Sequence, residues 1–96
     1  MTIGVIATLT VAEGKNAEFE GIFAQLSEKV NSLEEGCNFY GLHHSRENPQ
    51  VYKVLEQYVD QAALDAHGTS EHMKTIGGKL GSVMGGRPEV EYFDSV

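Results

Sequence analysis

Two histidines on either side of a helix-to-helix junction are the side chains best suited to proton transfer. His67 and His72 are five residues apart, and an imidazole that is neutral near pH 7 can accept a proton from a bound ligand. His72 and His67 are therefore candidate catalytic bases. For His67 a structural role stays open, because a histidine that ends a helix also complements the helix dipole.

Aromatic and acidic side chains precede these histidines. Tyr52, Glu56 and Tyr58 share one face of a predicted strand, since side chains alternate along a strand. Tyr40 lies on the strand predicted before it, and together these four residues are the candidates for substrate binding. A tyrosine hydroxyl could hold an oxygen atom of a substrate, whereas a packed ring with its hydroxyl bonded to backbone or water is the commoner alternative. A buried Glu56 is expected to orient a histidine rather than to act as the base.

The sequence shows no metal or cofactor motif. His43 and His44 are adjacent in a predicted strand, so they face opposite ways and cannot chelate one ion together. Cys37 has no partner at metal-binding spacing, and neither a His-Glu-x-x-His helix nor a glycine-rich phosphate loop occurs. The sequence therefore predicts no metal and no cofactor.

Length and charge limit the classes of function. Ninety-six residues predict one domain over residues 1–96. The net charge of −7 argues against binding to nucleic acid or to an anionic membrane. The chain has no long apolar run, no leader pattern and a single cysteine, so a cytoplasmic protein is expected.

Periodicity predicts the elements that position these side chains. Residues 2–11 alternate as a strand, and the helix after Glu13 is capped by Asn16. Residues 37–45 and 51–59 form a hairpin around an Asn-Pro turn. The apolar face of the first helix consists of Phe19, Ile22, Phe23, Leu26, Val30 and Leu33.

The second half predicts two short helices and a last strand. Asp60 caps a helix that ends at Gly68, and Thr69 or Ser70 opens another that ends near Leu80. Because interior glycines destabilise helices, the segment up to residue 87 is expected to be loose, either a disordered loop or a mobile lid. A strand over residues 89–93 completes a β-α-β-β-α-β order. This order predicts an α+β, ferredoxin-like fold with an antiparallel sheet and helices on one face.

The free face of the sheet also carries apolar side chains. A second copy of the same sheet is the simplest cover for it, so a homodimer is predicted.

One segment resembles a known family. Residues 56–72 read EQYVDQAALDAHGTSEH, which resembles the signature of the antibiotic biosynthesis monooxygenase (ABM) family. Upstream, Glu34-Glu35-Gly36-Cys37 and then Tyr40 resemble that family's entry into its second strand. The likeness covers essentially the whole chain. The matching positions of the signature are Glu56, Tyr58, Asp60, Ala63, Leu64, His67, Ser70 and His72.

The resemblance implies a dimeric α+β barrel of two ferredoxin-like subunits packed sheet to sheet. Members of known activity include monooxygenases that oxidise anthrones or hydroquinones with dioxygen, without metal, flavin or haem. Haem-degrading relatives use an Asn, a Trp and a His. This chain has Tyr58 where the family commonly has Trp, and Ile6 and Thr8 rather than Asn in its first strand, so that branch is disfavoured.

The resulting hypothesis is a cofactor-independent monooxygenase acting on a small aromatic hydroquinone- or anthrone-like substrate with dioxygen. Two alternatives stay open. One is an isomerase of small metabolites, which a basic cluster for phosphate would favour. The other is a non-catalytic dimeric protein that binds a ligand in the same pocket or acts in stress.

Overall fold

The computed structural model describes residues 1–96 as one four-stranded antiparallel sheet with helices on one face. The strand order is β2-β3-β1-β4, which confirms the predicted ferredoxin-like α+β fold. A 3-10 turn over Gly81–Val83 precedes the last strand. The elements are β1 (Ile3–Thr10), α1 (Asn16–Leu33), β2 (Cys37–His44), β3 (Val51–Tyr58), α2 (Gln61–Gly68), α3 (Glu71–Leu80) and β4 (Glu89–Asp94).

Strand β1 is the centre of the sheet because it pairs with β3 on one side and β4 on the other. Its alternate residues are buried, as the period of two predicts. Helix α1 packs its apolar stripe on that face, and the two sets form the main core. The buried residues of α1 are Phe19, Phe23, Leu26 and Val30, whereas Leu33, predicted on the same face, is 62% exposed at the end of the helix.

The start of α1 differs from the prediction. Asn16 is the first helical residue, and no side chain caps the helix there. Its amide instead donates to the carbonyl of Pro49 (2.7 Å) and to the hydroxyl of Tyr52 (3.0 Å). The capping prediction was wrong because the side chain ties α1 to β3 rather than to its own backbone.

The glycine-rich segment is not loose. Helix α3 runs through Gly77 and Gly78, and Val83 is fully buried in the core that follows. Met84 bridges to Val11, and the amide of Gly85 donates to the carbonyl of Thr10. Buried apolar surface and backbone pairing therefore offset the low helical propensity of glycine, which corrects the expectation of a loop or lid for residues 81–85, while residues 86–88 are exposed and outside any helix or strand.

Gly36 lets the start of β2 lie directly against α2. A Cβ placed on Gly36 would lie 2.5 Å from the Cβ of Ala63, and the carbonyl of Gly36 accepts from the amide of Val59 at 2.8 Å. Both atoms are fixed to backbone, so neither can swing aside. This contact sets the distance between the end of α1 and helix α2.

We expect Gly36→Ala to lower the free energy of unfolding by about 1–3 kcal/mol, the usual cost of overpacking. Gly21→Ala is the matched control, because Gly21 lies within α1 with no atom near its absent Cβ. That change should raise stability by up to about 1 kcal/mol through helix propensity. Urea denaturation of both variants measures the difference, and similar shifts of the same sign would contradict the close approach.

Candidate functional site

Capping side chains fix the junction between α2 and α3. Asp60 accepts from the amide of Ala63 at 2.9 Å and so begins α2. Ser70 begins α3: its hydroxyl accepts from the amide of Met73 (3.3 Å) and donates to the carbonyl of His67 (2.7 Å). The junction is therefore held by hydrogen bonds on both sides, and the two capping predictions are confirmed.

The two histidines of the junction converge on one carboxylate, that of Glu34. The Nδ1 atom of His67 lies 3.0 Å from both carboxylate oxygens of Glu34, and the Nε2 atom of His72 lies 2.5 Å from Oε2. The three side chains are only 9–11% exposed. Since an ionised carboxylate only accepts hydrogen bonds, Nδ1 of His67 and Nε2 of His72 are the donors.

Glu34 was missed as a site residue at the sequence level. It is the residue that ends α1, and its amide still bonds to the carbonyl of Val30. One physical signal was present: a carboxylate at the C-terminus of a helix opposes the helix dipole, and that placement is unfavourable without a nearby donor or cation. The histidine partners come from elements more than thirty residues away in sequence.

A second carboxylate lies on the other side of His67. The Nε2 atom of His67 is 4.0 Å from Oε1 of Glu56, and the hydroxyl of Tyr58 donates to that same oxygen at 2.6 Å. Burial raises the pKa of Glu56, and the hydrogen bond from Tyr58 and the nearby His67 only partly oppose that rise. Burial and the bond to Glu56 raise the pKa of Tyr58, so its phenol stays protonated.

Aromatic rings enclose the imidazole of His67. The rings of Tyr40 and Tyr58 lie with their centroids 5.3 Å and 5.2 Å from it. Tyr40 also stacks on Phe23 at 5.6 Å. Burial raises the pKa of Tyr40, with the charges of Glu56 and Glu34 adding to the rise. These rings shield the imidazole from water on most sides.

His67, Glu56 and Tyr40 form part of the wall of a cleft of about 1520 Å³ between the sheet and helices α2 and α3. The cleft is open along β4, where Val90 and Tyr92 are 45% and 63% exposed. No Lys or Arg lines it. Its floor is apolar, consisting of Ile3, Val5, Ala7, Leu9 and Val54.

The other predicted site residues lie outside the lining of the cleft. His72 contacts Glu34 and Tyr58 contacts Glu56, and neither side chain lines the cleft. Tyr52 is at the opposite end of β3 from Tyr58, fully buried, with its hydroxyl donating to Glu20 and accepting from Asn16. The predicted shared face of Tyr52, Glu56 and Tyr58 is confirmed, and a role for Tyr52 in substrate binding stays a prediction.

The sequence matches the family model of the antibiotic biosynthesis monooxygenases over residues 2–78. The chain belongs to this family. A search of curated proteins gives no significant match.

Solved structures agree with this membership. A protein of Caulobacter crescentus CB15, provisionally described as an antibiotic biosynthesis monooxygenase, is 45% identical with a TM-score of 0.96, covering 99% of this chain and 90% of that chain. A conserved protein of Methanosarcina mazei Go1 is 32% identical with a TM-score of 0.92, covering 97% of this chain and 91% of that chain.

Within the ABM fold, none of the helices has the length and hydrophobicity needed to cross a bilayer.

Cys37 lies beside the site in this ABM chain. Its thiol donates to the carbonyl of Phe39, and it is partly exposed. Burial, and then the negative charges of Glu34 and Glu56, raise the pKa of Cys37 to about 11. The thiol is therefore almost wholly protonated at neutral pH.

We expect Cys37 to react with iodoacetamide at pH 8 about a hundredfold more slowly than a free thiol, because only the thiolate is nucleophilic. The rate should climb about tenfold per pH unit until roughly pH 11, as expected for the thiolate fraction below the pKa. Glu34→Gln should speed the reaction at pH 8, since it removes a negative charge that disfavours the thiolate. Mass spectrometry of timed samples measures the rate, and fast alkylation of the wild type at pH 8 would contradict the raised pKa.

Proposed function

We propose that this ABM protein is a cofactor-independent monooxygenase of small aromatic hydroquinones or anthrones, with His67 as the base. The observation that carries the proposal is the position of His67: one ring nitrogen is held by Glu34, and the ring forms part of the wall of an apolar cleft beside Tyr40. Family membership supports monooxygenase chemistry at the level of the reaction class.

The hydrogen bond to Glu34 selects the tautomer of His67. When Nδ1 carries the proton and donates to Glu34, Nε2 holds a free lone pair on the side of Glu56. A substrate hydroxyl beside Nε2 can transfer its proton there, and the resulting imidazolium is stabilised by the Glu34 carboxylate. His72 supports the same carboxylate from behind, so we assign it a positioning role in place of direct contact with substrate.

The chemistry that follows needs no further group from the protein. The deprotonated hydroquinone gives electrons to dioxygen, one oxygen atom is kept on a ring carbon, and the other leaves as water. The substrate loses four electrons in all, and the two atoms of dioxygen gain them. The apolar floor of the cleft and the ring of Tyr40 limit the access of water to this step.

The charges along the cleft favour a neutral aromatic substrate over a phosphorylated one. Glu56, Asp65 and Asp94 line the cleft, and no Lys or Arg does. A phosphate group would meet three carboxyl groups and, apart from His67, no cationic partner, which disfavours the isomerase alternative. A protein that only binds such a ligand is the remaining alternative, and it predicts stabilisation by the ligand without turnover.

We further propose a homodimer in which two sheets pack face to face. Three large apolar residues are exposed on the face of the sheet opposite the helices: Phe39 (50%), Leu55 (36%) and Phe93 (48%). Large apolar side chains exposed on one face of a sheet favour an interface there, and a second copy presents a surface of the same chemistry.

Oxygen uptake by metal-stripped protein with reduced naphthoquinones and anthrones tests the activity. We expect uptake above the spontaneous rate, and we expect His67→Ala to lower it at least about a hundredfold, the usual contribution of a general base. His44→Ala is the matched control, because His44 is exposed and does not line the cleft. Equal oxygen uptake by both variants would show that His67 is not the base. If the wild type takes up no oxygen but its Tm rises with the ligand, the alternative of a non-catalytic binding protein is favoured.

We expect Leu55→Asp to convert the dimer to a monomer, because a carboxylate buried between two apolar sheets is costly. Leu33→Asp is the control, since Leu33 is also exposed but lies at the end of α1, away from the sheet. Sedimentation equilibrium measures the mass. A wild type with the mass of one chain, or two variants that behave alike, would contradict the sheet-to-sheet dimer.

A further inference from the structure

We propose that Glu34, His67 and His72 form a binding site for a divalent transition-metal ion of the zinc class. Two imidazoles and one carboxylate are the donor types that Zn²⁺ prefers after thiolate. Each residue offers one ligand atom, and the three atoms lie within 4.8 Å of one another. The sequence predicted no metal site because it offered no ligand spacing within a single element, whereas these donors come from the end of α1, the last turn of α2 and the first turn of α3.

The distances suit an ion with small adjustments of the side chains. Bonds of about 2.0–2.1 Å in tetrahedral geometry place neighbouring ligand atoms about 3.3 Å apart. The carboxylate of Glu34 lies 3.0 Å from Nδ1 of His67 and 2.5 Å from Nε2 of His72. To bind a metal, each of these two oxygen–nitrogen distances must lengthen by less than about an ångström. The two ligand nitrogens, which are at most 4.8 Å apart, must come closer by up to about 1.5 Å.

The electrostatics of the site favour a cation. Two helix C-termini, those of α1 and α2, end at the cluster and contribute partial negative charge, against the partial positive charge of one N-terminus, that of α3. The carboxyl of Glu56 lies 4.0 Å from the far nitrogen of His67. The side chains of the three ligands are about nine-tenths buried, so little water screens these charges.

An acidic partner for the imidazole of His67 is already in place. When Nδ1 of His67 binds a metal, its Nε2–H faces the carboxyl of Glu56, which in turn accepts from Tyr58 at 2.6 Å. An acidic partner behind a metal-bound imidazole fixes its ring and strengthens it as a ligand. The capping bonds of Ser70 fix the turn that carries the two histidines.

The ion and the catalytic proton compete for the same imidazole. A metal on Nδ1 of His67 leaves the only ring proton on Nε2, so the ring can no longer accept a proton from substrate. Zinc is therefore expected to inhibit oxygenation, and this consequence alone rests on the proposed function. The site itself does not depend on it.

Titration of the metal-stripped full chain with Zn²⁺ against a chromogenic zinc chelator tests the site. We expect one Zn²⁺ per chain with a Kd in the micromolar range or tighter, and a higher Tm in its presence. Glu34→Gln and His72→Gln should each weaken binding at least tenfold. Their matched controls, Glu35→Gln and His44→Gln, should bind as the wild type does, since both residues are exposed and outside the cluster.

Co²⁺ provides a second readout that reports the coordination geometry directly, with circular dichroism to show that each variant is folded. Tetrahedral coordination with nitrogen and oxygen donors gives intense visible absorption, and we expect it in the wild type and in both controls but in neither ligand variant. Stoichiometry below one, or equal binding by Glu34→Gln and Glu35→Gln, would overturn the proposal. Zinc binding without oxygen uptake by the metal-free protein would support the site and remove the proposed activity, whereas uptake without zinc binding would do the reverse.

Discussion

The buried contact between Glu34 and two histidines is the constraint on which the rest of the site depends. Removing a carboxylate from water is costly unless donors surround it, and His67 and His72 supply those donors at 3.0 Å and 2.5 Å. The contact joins the end of α1 to the α2–α3 junction and fixes the ring of His67 against the cleft. Without it, the imidazole would have neither a defined tautomer nor a defined orientation.

The environment of the cleft follows from what the helices leave uncovered. Helices α1 and α3 cover one side of the sheet, while β4 is exposed along its whole length. The cleft therefore has an apolar floor, an open side and one histidine, His67, on its wall. Under the proposed function, such a site would bind and orient an aromatic substrate and accept its proton, which are the tasks that oxidation of a hydroquinone asks of a protein.

The fold was largely predictable because its elements are local. Alternation in β1, the apolar stripe of α1 and the caps at Asp60 and Ser70 each depend on neighbours within a few residues, and the structure has them where the pattern indicated. Local propensity failed in the segment after Leu80, where burial of Val83 in the core outweighs the glycines around it. That burial is a tertiary effect, which no local pattern reports.

The sequence by itself determined the elements, the family signature and the two histidines as candidates for chemistry. Only the tertiary structure decided that Glu34 joins them, that His67 lines the cleft and that His72 lies behind it. The physical reason is distance along the chain: Glu34 is thirty-three residues from His67 in sequence. The close approach of Gly36 and Ala63 places the end of α1 beside α2, and this contact exists only in the folded protein.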